Sequence, residues 1–475
     1  MPSEHPFQVL YESFGRRPTA HADAVNRPSL QALCEVLDVP LESSGRGILL
    51  RAPRTGHGKT HLLSQVQQRL GARHVFIPLY TIAGTRIDEV SVMDDTLRQL
   101  ARVLPEADAL SGLDACVRRL FSLALQPLVR SGDVPCLDRD AALNALRQRP
   151  LQTLDFHHPN AVTAQWTQEN FEALGPRLAR ELVQLTGMPA QATGFWVRVL
   201  FQFAATPIDY PGRFETLAQA AFSDRAGHGA ALERLATLLA LVTLVTRVVL
   251  VADELDGLTA ETPAGVRLAS FLCALWRHTE RMDVILSVNH DVWESAFAPH
   301  LSSGLTERLT EVVIELAPLT DTEMLALLES RAPGMGTQVM AHIGPGHGAR
   351  RARSLLQAAV TAWPLVARID TSDSPPAPPA PPAPPAPPAP PAPPAPPAPP
   401  TSPESPESPE SPESPPSPES PTSPTSPTSP TSPTSPTSPT SPEPPGTSDD
   451  PGAIDADRVE ALLRQFRERY SRPNT

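Results

Sequence analysis

The stretch Gly47–Thr60, GILLRAPRTGHGKT, limits what this chain can fold into more than any other. Apolar Ile48, Leu49 and Leu50 lead into a loop of small and polar residues that ends in Gly58-Lys59-Thr60. This order of strand, loop and helix start is the phosphate-binding P-loop pattern, with Pro53 where its first glycine usually stands. In such a loop the backbone N–H groups face the phosphates, the lysine reaches the β- and γ-phosphates, and the hydroxyl residue serves Mg²⁺. The candidate nucleotide-binding residues are therefore Arg54, Thr55, Gly56, His57, Gly58, Lys59, Thr60 and His61, and Thr60 is also a candidate metal ligand. Lys59 is the only lysine among the 39 Lys and Arg residues. A chain that uses arginine everywhere else keeps lysine where a compact ammonium fits between phosphates and a planar guanidinium does not.

Two compositions share the chain. Residues 371–450 hold 35 of the 59 prolines and nine acidic groups, with no basic and no aromatic residue. Such a segment buries too little to offset its ordering entropy, so it is expected to be a disordered linker. Its PPA repeats predict a stiff polyproline II spacer to about residue 400, followed by looser acidic SPE and TSP repeats. Net charge is −13, of which the tail supplies −9, so the remainder is only mildly acidic. That balance argues against a generic nucleic-acid coat without excluding local arginine patches. Cys34, Cys116, Cys136 and Cys273 show no metal-ligand or CxxC spacing, which predicts free thiols in a reducing, cytoplasmic setting. The start is polar and acidic where a signal peptide would be basic, and the apolar run Leu235–Ala252 is broken by Thr243, Thr246 and Arg247. We therefore expect a buried helix, turn and strand there, with no transmembrane segment.

Along the chain, Phe7, Tyr11 and Phe14 in the lead could wall a base pocket or simply pack on the core. Ser29–Leu37 reads as a helix, Gly47–Ala52 as a strand, Thr60–Leu70 as a helix and His74–Tyr80 as a second strand. Helices are predicted over 94–103, 112–128, 170–185 and 194–203, and His157 and His158 fall in a loop beside Pro159. Val248–Ala252 is a buried strand ending in Asp253 and Glu254. Asp253 is placed to hold Mg²⁺, and Glu254 to orient or deprotonate an attacking water. Asp256 reads as a solvent-facing or capping carboxylate. Met282–Val288 is another strand, ending at Asn289, whose amide lies beside a γ-phosphate if this strand stands between the other two. Val312–Leu316 is the last strand, and Thr320 with Glu323 forms a capping box for the helix that follows.

This set resembles the AAA+ ATPases, particularly the initiator and helicase-loader branch or the STAND signalling ATPases. The resemblance covers 45–84 and 231–368. It implies a five-stranded parallel sheet and a helical lid, with ATP and Mg²⁺ bound between them and a homo-oligomer in the ATP state. Gly56, Gly58, Lys59 and Thr60 match Walker A, Asp253 and Glu254 match Walker B, and Asn289 matches sensor 1. Arg308 is similar to an arginine finger, and Arg350 looks like the lid's sensor 2 arginine. Roughly 190 residues separate the Walker motifs, far more than the family usually has, which implies a helical insertion.

The expected architecture is an α/β parallel-sheet P-loop ATPase. Its core is split into 1–84 and 231–318 by a helical insertion at 85–230, and a helical lid at 319–370 follows, then the linker at 371–450 and an amphipathic helix within 451–475. The apolar stripe of that last helix, Val459, Leu462, Leu463, Phe466 and Tyr470, is flanked by arginines and predicts docking on a protein partner. The leading functional expectation is an ATP-hydrolysing switch acting on a macromolecular assembly associated with DNA, defence or signalling, with nucleic acid left open as a partner. The alternative is a nucleotide-stabilised scaffold that turns over little and recruits through its terminal helix.

Overall fold

The computed structural model describes residues 5–7, 14–15, 22–81, 87–103, 110–222, 228–344 and 350–372. All of them fall in one of the chain's two units; the other unit, Pro375–Ala453, lies outside the described residues, as does the expected terminal helix.

Five strands alternate with helices in the order α1 (Arg27–Leu37), β1 (Gly47–Ala52), α2 (Lys59–Leu70) and β2 (His74–Leu79). A block of nine described helices follows, from α3 (Glu89–Leu100) to α11 (His228–Val242). The chain then returns through β3 (Arg247–Ala252), α12 (Thr262–Trp276), β4 (Met282–Asn289), α13 (His290–Val292), α14 (Ser303–Leu309) and β5 (Val312–Glu315). It closes the described part with α15 (Asp321–Arg331), α16 (Gly336–Ile343) and α17 (Ala352–Ser372).

The strands form one sheet in the order β2-β3-β4-β1-β5, every pair parallel. Parallel strands need crossovers, and the crossovers cover both faces, so the central strands are apolar on both sides. Period-two alternation sorts them: Val248, Leu250 and Ala252 of β3 face one core, while Val249 and Val251 face the other. The first core extends through α12 and the long helical block; the second holds α1 and α2 through Leu33, Leu37, Leu62 and Val66. The apolar run from Leu235 is a buried helix, turn and strand, and no described helix is long and apolar enough to cross a membrane. A third apolar cluster joins α15, α16 and α17 into a small unit, with Leu328, Val339, Leu355 and Ala359 at its centre.

Some expected bounds shift for local reasons. Helix α3 begins at Glu89 rather than 94, because Asp88 caps it by accepting from the Ser91 N–H at 2.8 Å. Helix α4 (Gly112–Ser131) outruns its predicted end and carries a capping box between Ser111 and Asp114. Two of the lead aromatics serve packing: Phe7 sits edge-on to Trp363 with ring centroids 5.7 Å apart, and Phe14 packs against Phe76, while Tyr11 lies outside the described residues.

The sheet's N-terminal edge is locked by a buried ion pair. Asp283 at the start of β4 accepts from Arg247 Nη2 at 2.7 Å and from the Arg46 N–H at 3.0 Å. Arg247 Nη1 is spent on the carbonyls of Pro40 and Ser43. Both side chains are almost fully buried, at 3% and 0% exposed. Cutting such a pair strands a charge in the core, at a cost of about 3–5 kcal/mol. Arg247→Ala should therefore lower the melting temperature by about 10 °C in a circular dichroism melt. A shift under about 2 °C would show that the pair does not hold this edge.

Candidate functional site

The carboxyl ends of β1, β3 and β4 lie side by side, because β4 sits between β3 and β1. Brought to that edge, the loop after β1 meets the residues that end β3 and β4 across more than 190 positions of sequence. Thr60 Oγ1 donates to Asp253 Oδ2 at 2.6 Å, and Ser287 Oγ donates to Asp253 Oδ1 at 2.6 Å. Lys59 Nζ donates to Asn289 Oδ1 at 2.5 Å. Asn289 Nδ2 in turn reaches Asp256 Oδ1 at 2.6 Å and Thr55 Oγ1 at 2.7 Å.

Gly56 and Gly58 hold φ of 93° and 96°, a left-handed backbone that side-chain-bearing residues rarely adopt. Such a turn at the start of a helix gathers N–H groups and the positive end of the helix dipole, here that of α2, into a seat for an anion. The helical unit closes over this loop. Arg353 N–H donates to the Gly56 carbonyl at 3.1 Å, and Asn26 Nδ2 donates to the His57 carbonyl at 3.1 Å. Asn26 is itself pinned through its N–H to Glu323 Oε1 on α15 at 3.1 Å.

Between loop and helical unit lies a cavity of about 490 Å³. Thr55, Gly56, Gly58, Lys59, Thr60 and His61 line its base, Asp253, Glu254 and Asp256 one wall, and Arg331 and Arg353 the helical side. Ala22, Val25, Leu327 and Leu356 give the remaining end an apolar slot. Burial pulls the Lys59 ammonium below the ordinary lysine range, opposed by the nearby charges of Asp253 and Asp256. Burial, with the adjacent carboxylates Asp253 and Asp256, pushes Glu254 up, and Arg353 opposes that rise. Glu254 also stands at φ 58°, one of two non-glycine residues with positive φ among those described. A non-glycine residue held in that region costs about 1–3 kcal/mol.

The sequence-assigned residues separate into three groups. Thr55, Gly56, Gly58, Lys59, Thr60, His61, Asp253, Glu254 and Asn289 converge on this one edge. Arg54 is exposed outside the cavity, and His57 turns its ring inward, 4% exposed, with burial lowering its pKa. Arg350 stands apart from the cavity lining: its guanidinium pairs with Asp321 at 3.0 Å on the surface. Arg353, one turn further along the same arginine-rich run, lines the cavity instead. Arg308 lies towards the opposite end of the sheet, its carbonyl against Gly47 and its guanidinium 4.8 Å above the Trp276 ring.

Asp256 is solvent-exposed, as its sequence suggested, and in addition bonds both Thr55 and Asn289. Asn26, Ser287 and Arg353 also went unread; only the left-handed tolerance of asparagine before Arg27-Pro28 hinted at the first.

The donors around Asp253 are hard oxygens, from Thr60, Ser287 and the carboxylate itself, which suits Mg²⁺ rather than a soft metal. No group of three His, Cys, Asp or Glu side chains able to hold a metal occurs among the described residues. A cation here would complete its shell with water and phosphate oxygens. Comparisons with protein-family models, curated proteins and solved structures gave no match.

Proposed function

We propose that this chain is a P-loop ATPase of AAA+ type, a switch that binds Mg²⁺·ATP in the 490 Å³ cavity and hydrolyses it. One observation carries the reading: Lys59 and Thr60 from the start of α2, Asp253 after β3 and Asn289 at the end of β4 are joined by hydrogen bonds of 2.5–2.6 Å at one sheet edge. Core packing alone has no use for a lone lysine, a threonine hydroxyl, a carboxylate and an amide facing a lined cavity at a left-handed glycine turn.

In this reading the loop N–H groups and Lys59 take the phosphates, and the apolar slot of Ala22, Val25, Leu327 and Leu356 takes the base. Thr60 and Asp253 would hold Mg²⁺, which supplies charge neutralisation on the phosphate oxygens. Glu254 accepts the proton of the attacking water, a task for which a raised pKa brings it closer to working pH. Arg353 bridges phosphate and helical unit, so the bound state tightens the lid.

The test is phosphate release from ATP by the purified chain with Mg²⁺. Steady turnover supports the switch, whereas tight binding without turnover would favour a nucleotide-stabilised scaffold. The lid assignment has its own check in an equilibrium nucleotide titration. Arg353→Ala should weaken ATP binding about tenfold, the loss of one charge-assisted bond, while Arg350→Ala stays within about twofold. The reverse order would return the role to Arg350.

A further inference from the structure

Asn289 does not line the cavity although the residues it bonds do. Its amide NH₂ is taken by Asp256 Oδ1 at 2.6 Å and Thr55 Oγ1 at 2.7 Å, and the Thr55 hydroxyl donates on to Asp256 Oδ2 at 3.2 Å. Asn289 is 2% exposed, so these and the Lys59 ammonium on its Oδ1 are the contacts through which its polar end meets the site. One carboxylate thus accepts from two donors on two elements and stands between the glycine loop and the end of β4. Asp256 belongs to the 3₁₀ turn Leu255–Ala260, whose Leu255 and Leu258 are buried in the main core. The turn carrying it is thereby coupled to packed structure, while the Asp256 side chain itself faces the cavity.

Resting on the ATPase reading, we propose that Asp256 is a terminal-phosphate latch: its carboxylate occupies the Thr55 hydroxyl and the Asn289 amide, the donors a third phosphate would recruit beside Lys59.

The physical reason is anion exchange. A phosphoryl group seated at Lys59 Nζ lies next to Asn289, because those two are themselves bonded. There it meets the carboxylate of Asp256 at close range, already beside Asp253 and Glu254. Like charges brought together there repel, and the phosphate offers the same two donors a better acceptor. A nucleoside triphosphate must therefore displace Asp256, freeing Asn289 for the reacting group and moving the 255–260 turn. A nucleoside diphosphate, lacking that group, leaves the latch shut. The latch discriminates between the two nucleotides without touching the base, and it opposes the triphosphate by the cost of opening it.

The experiment is an equilibrium titration of the full chain with Mg²⁺·ADP and with a non-hydrolysable Mg²⁺·ATP analogue, comparing wild type with Asp256→Asn and Asp256→Ala. Asp256→Asn keeps the shape and removes the charge. It should tighten the triphosphate about tenfold relative to the diphosphate, with diphosphate affinity within about twofold of wild type. Asp256→Ala removes the carboxylate and both of its bonds and should shift the same ratio in the same direction, which keeps the proposal testable if Asp256→Asn does not fold. If both nucleotides bind wild type but the ratio is unmoved in the folded variants, the latch is wrong and the ATPase reading stands. If neither nucleotide binds wild type or variants, both fall together.

Discussion

Lys59→Ala should lower ATP affinity on the order of a hundredfold and leave the fold intact. The ammonium reaches into the cavity base from the first residue of α2 and is held by Asn289 Oδ1 at 2.5 Å. Burial alone disfavours its charge, and Asp253 and Asp256 offset that penalty. A half-desolvated cation beside carboxylates gains most when a polyanion arrives, which is why its removal falls on binding rather than folding. Lys59→Arg should not rescue, because a planar fork in place of a compact ammonium would meet Asn289 and Thr60 with the wrong geometry. A fluorescent-nucleotide titration, with far-ultraviolet circular dichroism as the control on folding, reads the effect. Wild-type affinity in a folded Lys59→Ala protein would remove the loop from the account.

Glu254→Gln should bind ATP normally and hydrolyse it about 10²-fold more slowly or worse, the loss expected when a general base is removed. The amide keeps the size and the left-handed backbone at φ 58°, so what changes is the ability to take a proton. The wild-type rate should also report on this carboxyl as pH falls. A general base must be ionised to accept a proton, and burial with the charges of Asp253 and Asp256 raises the Glu254 pKa. Hydrolysis should therefore decline on acidification at a pH above the ordinary carboxylate range of about 4.3, and the acid limb should vanish in Glu254→Gln. Unchanged turnover in that variant would move the proton-accepting role to another group.

The strands were legible because a doubly covered parallel sheet writes itself as apolar runs, and Val248–Ala252 and Met282–Val288 are of that kind. The residues at their ends were legible for a different reason, since charged or amide groups at the end of such a run have no packing role. Asp256 and Ser287 were not, because one sits in a loop where carboxylates are ordinary and the other inside a strand where serine is unremarkable. Their meaning comes only from partners elsewhere in the chain: Thr55 and Asn289, 201 and 33 residues from Asp256, and Asp253, 34 residues from Ser287. The choice between Arg350 and Arg353 could not be made from arginine spacing alone. It depends on where α17 begins, and its start at Ala352 leaves Arg350 on the surface with Asp321 while Arg353 faces Gly56. The helical block showed its helices through periodicity but no chemistry. Its buried polar residues, such as Arg213 bonded to Asp114 at 3.0 Å and to the Phe203 carbonyl, are spent on holding helices together.

A nucleoside triphosphate seated where the ends of β1, β3 and β4 meet should protect the backbone around it. Hydrogen exchange followed by mass spectrometry, on the full chain with and without Mg²⁺·ATP, tests this by location as well as by affinity. The account predicts slowed exchange over the loop 53–60, the turn 253–260 and the β4 end at 287–290, together with the Arg353 end of α17. Saturating Mg²⁺·ATP that leaves all four segments unchanged, or that protects only the helical block between β2 and β3, would contradict it.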